Sequence, residues 1–295
     1  MSTCVVTFVY PQATKYFRQF RECLEKQGDP DFDLVIFNDG CIEKDLELLV
    51  GKQLRTKIYQ NSGKSIAHIR VSGLRILVSD IYENIIFADI DDICSSNRVE
   101  YVKRYLNLYP IVMNDLILIN EDSTVIKASL ISETFANRQR ISHSAIKSYN
   151  MIGMSNSAIK RNMVNIKFLE SILEDTIAFD WSFYTEMLHR TNAVFINEAK
   201  TYYRQHGQNT ALFSDFRKEE IFKNIAVKIQ HYRNVCHLST YYRQEVEYLS
   251  QLNEYLNDDS HFNSFYKKFQ LNKGQSFPWW SVIPESEVWK NEIQF

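Results

Sequence analysis

The sequence predicts an α/β protein with a mostly parallel sheet covered by helices on both faces. Three observations predict it. Short, continuously apolar runs recur in "CVVTFVY", "DLVIFND" and "NIIFAD", as strands buried on both faces require. Amphipathic stretches of helical spacing, "YFRQFRECLEK" and "IAHIRVSGLRILVS", lie between them. The two kinds alternate along the chain, which is the βαβα order of a parallel sheet.

Each element follows from its own pattern. After the strand "CVVTFVY", Phe17, Phe20, Cys23 and Leu24 form one helical face. The strand "DLVIFND" leads through a mixed stretch to a second helix, whose buried stripe is Ile66, Ile69, Gly73, Leu74 and Leu77, and then to "NIIFAD". Further on, "PIVMNDLILIN" and "TVIKASLIS" have strand character and "NMIGMSNSAIKR" looks like a strand leading into a helix. "DWSFYTEMLHR" is helical, "AVFINEA" is a strand and "YYRQHGQNTA" a loop. From about Phe213 the texture changes to the polar-aromatic helices "KEEIFKNIAVKIQHYRNV" and "TYYRQEVEYLSQLNEYL". A boundary there divides the chain into a domain over 1–212 and a helical C-terminal subdomain over 213–295. The end, "KGQSFPWWSVIPESEVW", has no clear period.

Composition narrows the function. With 295 residues, 45% hydrophobic, there is ample material for a core. A net charge of -2 without a basic block argues against nucleic acid, whose phosphates need concentrated Lys and Arg. Cys4, Cys23, Cys41, Cys94 and Cys236 have no metal-ligand spacing, and their odd number suits free thiols in a reducing compartment. No run approaches the roughly 20 apolar residues of a membrane span, and the first residues lack a secretory signal pattern. A cytoplasmic protein is expected, at most peripheral to the inner face of a membrane.

The chemistry concentrates in "NIIFADIDD", where Asp89, Asp91 and Asp92 directly follow an apolar strand. Like charges this close raise one another's pKa unless something positive sits among them. Ligands of open α/β sheets bind beyond the carboxyl ends of the strands, where these aspartates fall. Hard oxygen ligands suit Mg²⁺ or Mn²⁺ held by one or two carboxylates plus substrate phosphates. The bland alternative is one aspartate capping the next element while the others face water. A phosphatase-type nucleophile is another, although such a motif usually lies on an early strand.

Four segments together resemble the GT-A-fold glycosyltransferases, most of all the inverting glycosyltransferase family 2. The opening "CVVTFVYPQATKYFRQFRECLEKQ" and "DLVIFNDG" resemble the family's first strand and helix and its strand ending in an acidic turn. The resemblance implies a Rossmann-like sheet with a helical extension, and Asp39 facing the nucleobase of the donor. "NSGKSIAHIRVSGL" is similar to a glycine-and-arginine segment, with Arg70 near the nucleotide and Val71 where asparagine is common. "ADIDD" matches the DxD motif, which implies Asp89 near ribose or sugar, Asp91 on the metal, and Asp92 as a weaker ligand. Gly153, Ser155 and Asn156 resemble a segment lining the sugar and acceptor pocket. "IAFDWSFYTEML" resembles the ED motif, with Asp180 as the catalytic base and Phe179 in place of the preceding acid. Glu174 and Asp175 are the reserve bases, and helix capping is the alternative role for Asp180. "TYYRQHGQNTA" resembles the closing YRxHxxN loop, implying His206 near metal and diphosphate with Arg204 and Asn209 shaping the loop.

The implied activity is transfer of a sugar from a nucleotide-diphosphate donor, a UDP-sugar being the commonest, to a hydroxyl of a glycan or lipid-linked acceptor. Mn²⁺ or Mg²⁺ is the implied cofactor, and bacterial surface polysaccharide or glycoconjugate synthesis the implied setting. A non-catalytic sugar-nucleotide-binding scaffold is the rival. A sugar-1-phosphate nucleotidyltransferase is less favoured, because "FVYPQATKYF" lacks a glycine-rich phosphate loop. The aromatic residues after Phe213 want burial, on the catalytic domain's acceptor side, in a homo-oligomer, or in a satellite core that only stabilises the fold.

Overall fold

The computed structural model describes residues 2–63, 65–206 and 218–271, with backbone only over 268–271, together with Trp279, Trp280, Ile283 and Ser286. The chain begins with β1 (Thr3–Val9), a 3-10 turn over Pro11–Tyr16, and α1 (Phe17–Glu25). Next come β2 (Asp33–Asn38), α2 (Glu43–Val50), β3 (Thr56–Gln60), α3 (Ile66–Ser79), β4 (Asn84–Phe87), β5 (Ile93–Cys94) and α4 (Arg98–Leu106). These are followed by β6 (Ile111–Ile119), β7 (Val125–Lys127), β8 (Arg140–Ile141), β9 (Ser157–Lys160), α5 (Ile166–Ser171), α6 (Phe179–Arg190) and β10 (Ala193–Arg204). The helices α7 (Lys218–Val235), α8 (Thr240–Tyr255) and α9 (Asp259–Leu271) complete the described chain.

The strands form one mixed sheet in the order β3-β2-β1-β4-β9-β6-β10-β5. The long pairings are parallel: β2 with β3 and β1, β1 with β4, and β6 with β10. The short β9 runs antiparallel to both β4 and β6 and joins the two parallel halves. Alternation along β1 sorts the core, since successive side chains point to opposite faces. Val5 and Val9 meet Phe17, Phe20 and Leu24 of α1 and Val99 and Val102 of α4 in one core cluster. Cys4 and Val6 belong to the opposite cluster, with Leu74 and Leu77 of α3 and Trp181 and Phe183 of α6. That second cluster continues into Tyr232, Tyr242 and Leu249 of α7 and α8. At the junction the ring of Trp181 stacks on His231, with centroids 3.7 Å apart.

Three segments differ from their sequence patterns. In "NMIGMSNSAIKR" the order is reversed: a 3-10 turn over Met154–Asn156 precedes β9. The Asn156 side chain closes that turn by accepting the Gly153 N–H at 2.8 Å, which leaves Ala158 and Ile159 free to pair with β4 and β6. In "TVIKASLIS" only Val125–Lys127 is strand. Beyond it the buried Asp115 carboxylate draws in the N–H groups of Ile131 and Ser132 at 2.9 and 3.2 Å and turns the chain. The strand begun by "AVFINEA" shifts register between Ile196 and Lys200 and then takes in "TYYR", so Arg204 ends a strand instead of lying in a loop. The mixed stretch before α3 contains α2 and the half-buried β3.

Candidate active site

A cavity of about 580 Å³ opens beyond the carboxyl ends of β1, β2 and β4. Its walls bring together Asp39, Arg70, Asp89, Asp91, Asp180 and His206, residues separated by up to 167 positions in the chain.

On one side, Asp39 follows β2 and its N–H donates to the carbonyl of Val9 at 2.7 Å. The turn is shaped by Asn38, whose side chain accepts the Cys41 N–H at 2.8 Å, and by Gly40, whose φ of 87° is left-handed. Arg70 projects from α3, a helix whose N-terminus is capped by Ser65 Oγ accepting the His68 N–H at 3.2 Å.

The DxD segment forms the floor. Asp89 and Asp91 line the cavity, whereas Asp92 turns inward and is 3% exposed. Asp92 accepts the Arg204 N–H at 2.8 Å and a short hydrogen bond from the Ser155 hydroxyl. Burial, then the neighbouring Asp91 and Asp89, push the Asp92 carboxyl well above the usual range. Asp89 is pushed up to about 6, chiefly by burial; Arg70 opposes the rise while Asp91 and Asp180 add to it. The crowding predicted from the sequence is thus physical, and a cation would relieve it.

Two buried arginines hold this segment from behind. Arg204 donates from Nε to the Asp91 carbonyl at 2.8 Å, from Nη1 to the Glu121 carbonyl at 2.7 Å and from Nη2 to Gln19 at 2.7 Å. It is not among the residues lining the cavity and ties the DxD turn to the turn after β6. Arg98, which no motif singled out, donates from Nη2 to the carbonyls of Phe87 and Ser155 at 2.7 and 2.9 Å and from Nε to Asn114 at 2.8 Å. His206 is stacked on Tyr16, and its Nε2 lies 2.9 Å from Asp91 Oδ2.

Across the cavity, α6 begins at Phe179 with Ala178 as its N-cap residue, so Asp180 stands in the first turn and is not the cap. Its Oδ1 accepts the Trp181 N–H at 2.9 Å. Burial raises the Asp180 carboxyl, opposed by Arg70, by that N–H and by the Asn150 amide. Gly153 makes the close approach possible: a Cβ there would stand 3.4 Å from Asp180 Oδ2 and 3.3 Å from the Trp279 ring. The reserve bases are elsewhere. Glu174 and Asp175 are exposed and outside the cavity lining, and Asp175 accepts from Gln230 at 3.1 Å. Asn156 is fully buried, with its amide given to Gly153, Asn114 and Met151, so it shapes the wall without facing the cavity. Ser155 does line the cavity, although its hydroxyl is given to Asp92. Asn209 lies outside the described residues.

Tyr10, Asn150, Tyr203, Trp279 and Trp280 also line the cavity and were not singled out as site residues. Burial, then Asp91 for Tyr10 and Asp92 for Tyr203, push both phenols up, so each stays neutral. Tyr10 carried a legible signal: a polar aromatic at the carboxyl end of the first strand, where ligands of such sheets bind. Asn150 and Arg98 carried none.

No protein-family profile and no curated protein matches the sequence. Solved structures do match in shape. A crystal structure of TarS from S. aureus in complex with UDP-GlcNAc superposes with a TM-score of 0.59 at 14% identity, over 80% of this chain and 66% of that one. The TarS structure with UDP gives 0.57 at 13%. GalNAc-T7 with UDP, GalNAc and Mn²⁺ gives 0.58 at 12%, over 95% of this chain. The fold is GT-A. The chain spans 66% of the TarS structure and 58% of the GalNAc-T7 structure. In this GT-A sheet the acidic cluster sits at the carboxyl end of β4, among the carboxyl ends of parallel strands.

The donor set fits a divalent cation. Asp91 Oδ2 and His206 Nε2 converge on one point of the cavity wall, and Asp89 lies beside them. Among the described residues no group of three or more His, Cys, Asp or Glu forms a closed metal cage. An open pair suits Mg²⁺ or Mn²⁺, which complete their shell with water and substrate phosphate.

Proposed function

We propose that the protein is a metal-dependent, inverting glycosyltransferase of the family 2 type that moves a sugar from a nucleotide-diphosphate donor, a UDP-sugar first, to an acceptor hydroxyl. The observation that carries this is that Asp180 and the Asp89–Asp91 pair line one cavity together with Arg70 and Asp39. The binding of UDP-GlcNAc by TarS and of UDP and Mn²⁺ by GalNAc-T7 supports the donor and the cation.

Each residue then has a task that follows from its chemistry. Asp39, beside the carboxyl ends of β1 and β2, accepts hydrogen bonds from the base. Arg70 pairs with the diphosphate and opposes the rise that burial imposes on the Asp89 and Asp180 carboxyls. Asp91 and His206 would hold the divalent cation, which when bound would supply positive charge against that developing on the leaving diphosphate. Asp180 accepts the acceptor hydroxyl's proton as that oxygen attacks the anomeric carbon from the face opposite the diphosphate, so one displacement inverts the centre. A single carboxylate suffices, unlike the pair needed by hydrolases. Synthesis of a bacterial surface polysaccharide or glycoconjugate is the proposed setting.

The test is release of UDP from UDP-glucose, UDP-galactose, UDP-N-acetylglucosamine and UDP-N-acetylgalactosamine, with a panel of glycan and lipid-linked acceptors and Mn²⁺ or Mg²⁺. Metal-dependent release supports the proposal. Tight UDP binding with no release from any donor supports the scaffold alternative.

A further inference from the structure

Two buried charges on the C-terminal helices take no part in lining the cavity. Lys228 of α7 is 2% exposed and Glu245 of α8 is 1% exposed. Ionised groups at such depth are tolerated where hydrogen bonds or opposite charge replace their water. Both find main-chain partners in the C-terminal segment. Lys228 Nζ donates to the carbonyl of Ile283 through a short hydrogen bond. The Glu245 carboxylate accepts the Ser286 N–H at 3.2 Å and a short hydrogen bond from the Ser286 hydroxyl.

The same segment supplies part of the site. The Trp279 carbonyl accepts the Asn150 N–H at 3.2 Å, and the Trp279 indole lies edge-on to Tyr203 with centroids 5.4 Å apart. That indole also packs on Gly153, next to Asp180 Oδ2. Both Trp279 and Trp280 line the cavity. The sequence around them has no clear helical or strand period. Charge-assisted hydrogen bonds from a rigid helix pair are strong anchors for such a segment.

We propose that Lys228 and Glu245 are positioning residues, a charged clamp that holds Ile283 and Ser286 and thereby fixes Trp279 and Trp280 in the wall of the cavity that Asp180 also lines. The clamp acts through Trp279 and Asn150 and touches no substrate. Its assignment to the acceptor half of the site rests on the glycosyltransferase proposal above.

The test uses the full chain carrying 5-fluorotryptophan, whose four indoles, Trp181, Trp279, Trp280 and Trp289, give separate ¹⁹F resonances assigned by single Trp→Phe variants. UDP with Mg²⁺ is the probe. In the wild type the Trp279 and Trp280 signals shift on its addition. In Lys228→Met and in the isosteric Glu245→Gln, those two signals move to solvent-exposed positions and lose the response, while UDP affinity by calorimetry stays within about threefold. Lys228→Arg, which keeps charge and donors, restores both. Variants with wild-type Trp279 and Trp280 signals overturn the clamp. Loss of UDP affinity in step with a lowered melting temperature also overturns it, because the charges then support the fold at large. A wild-type chain that fails to bind UDP overturns the donor proposal instead, and the clamp is still judged by the two resonances without ligand.

Discussion

Asp91 and His206 stand 2.9 Å apart in the cavity lining, and under the proposed metal role removing one of them would leave a cation with half its protein ligands. Asp91→Asn is expected to weaken UDP binding in the presence of Mn²⁺ by tenfold or more while leaving binding with chelator unchanged. Calorimetry with and without chelator measures the difference, and equal affinities for wild type in the two conditions defeat the metal role. Asp180 separates chemistry from binding. Asp180→Asn should keep the fold and the UDP affinity yet lower transfer by about 10² to 10⁴, the usual worth of a general base. Because Ala178 is the N-cap residue of α6, a large loss of stability is not expected from this substitution, and an unfolded variant would return Asp180 to a structural role. At this scale the sequence was legible where chemistry crowds together. Three aspartates after a buried strand are abnormal wherever they occur, and Asp89 and Asp91 do line the cavity. Asp92, Asn156 and Arg204 sit within the same motifs but turn inward, because a motif fixes spacing and the direction of each side chain depends on the turn that carries it.

Elements were legible in proportion to their burial. β1, β2 and β4 are buried along nearly their whole length, and their apolar runs identify them. The eight-residue α2 and the half-buried β3 carry weak periods, and β9 is only four residues long, so local pattern cannot separate it from a helix start. The turn before β9 is decided by Asn156 and Gly153, a contact no period encodes. Arg98 shows the same limit at the next level. It opens α4 like any surface arginine, yet its guanidinium is 1% exposed and ties the end of β4 to the turn before β9. Arg98→Met strands the carbonyl of Phe87 and the side-chain oxygen of Asn114, whereas the Ser155 carbonyl keeps the Thr201 hydroxyl at 3.1 Å. Each buried acceptor left unpaired costs about 1–3 kcal/mol, so a loss of at least about 2 kcal/mol is expected in urea unfolding. UDP affinity should fall with it, because the carbonyl of Phe87 lies two residues before Asp89 of the DxD segment.

In the whole molecule, the aromatic texture after Phe213 announced burial but not its partner, since a core shared between distant elements leaves no local period. The partner is α6: His231 of α7 is fully buried, with Trp181 stacked on one face and Ser182 Oγ 3.1 Å from its Nδ1. Burial, then Lys228 and His143, hold this imidazole well below its ordinary pKa. The sign of the consequence follows from proton counting. Above about pH 6.5 the histidine is neutral in both folded and unfolded chains and contributes no pH dependence. Below it the unfolded chain takes up a proton that the folded chain refuses, so stability falls as pH falls. At pH 5.5 one such group lowers stability by up to about 1.4 kcal/mol relative to pH 7.5, the limit reached when the folded imidazole takes up no proton there. Asp89 and Asp92 act in the opposite sense, because raised carboxyls take up protons in the folded state first. The total curve therefore mixes two slopes, and the difference between wild type and His231→Asn isolates one. Urea unfolding of both proteins at pH 7.5 and 5.5 should show the variant less stable at the higher pH, through lost stacking, but with its disadvantage reduced by about 1 kcal/mol at the lower. Parallel curves across that range would mean that His231 carries its proton in the folded protein and that the junction of α6 and α7 is not a neutral, desolvated contact.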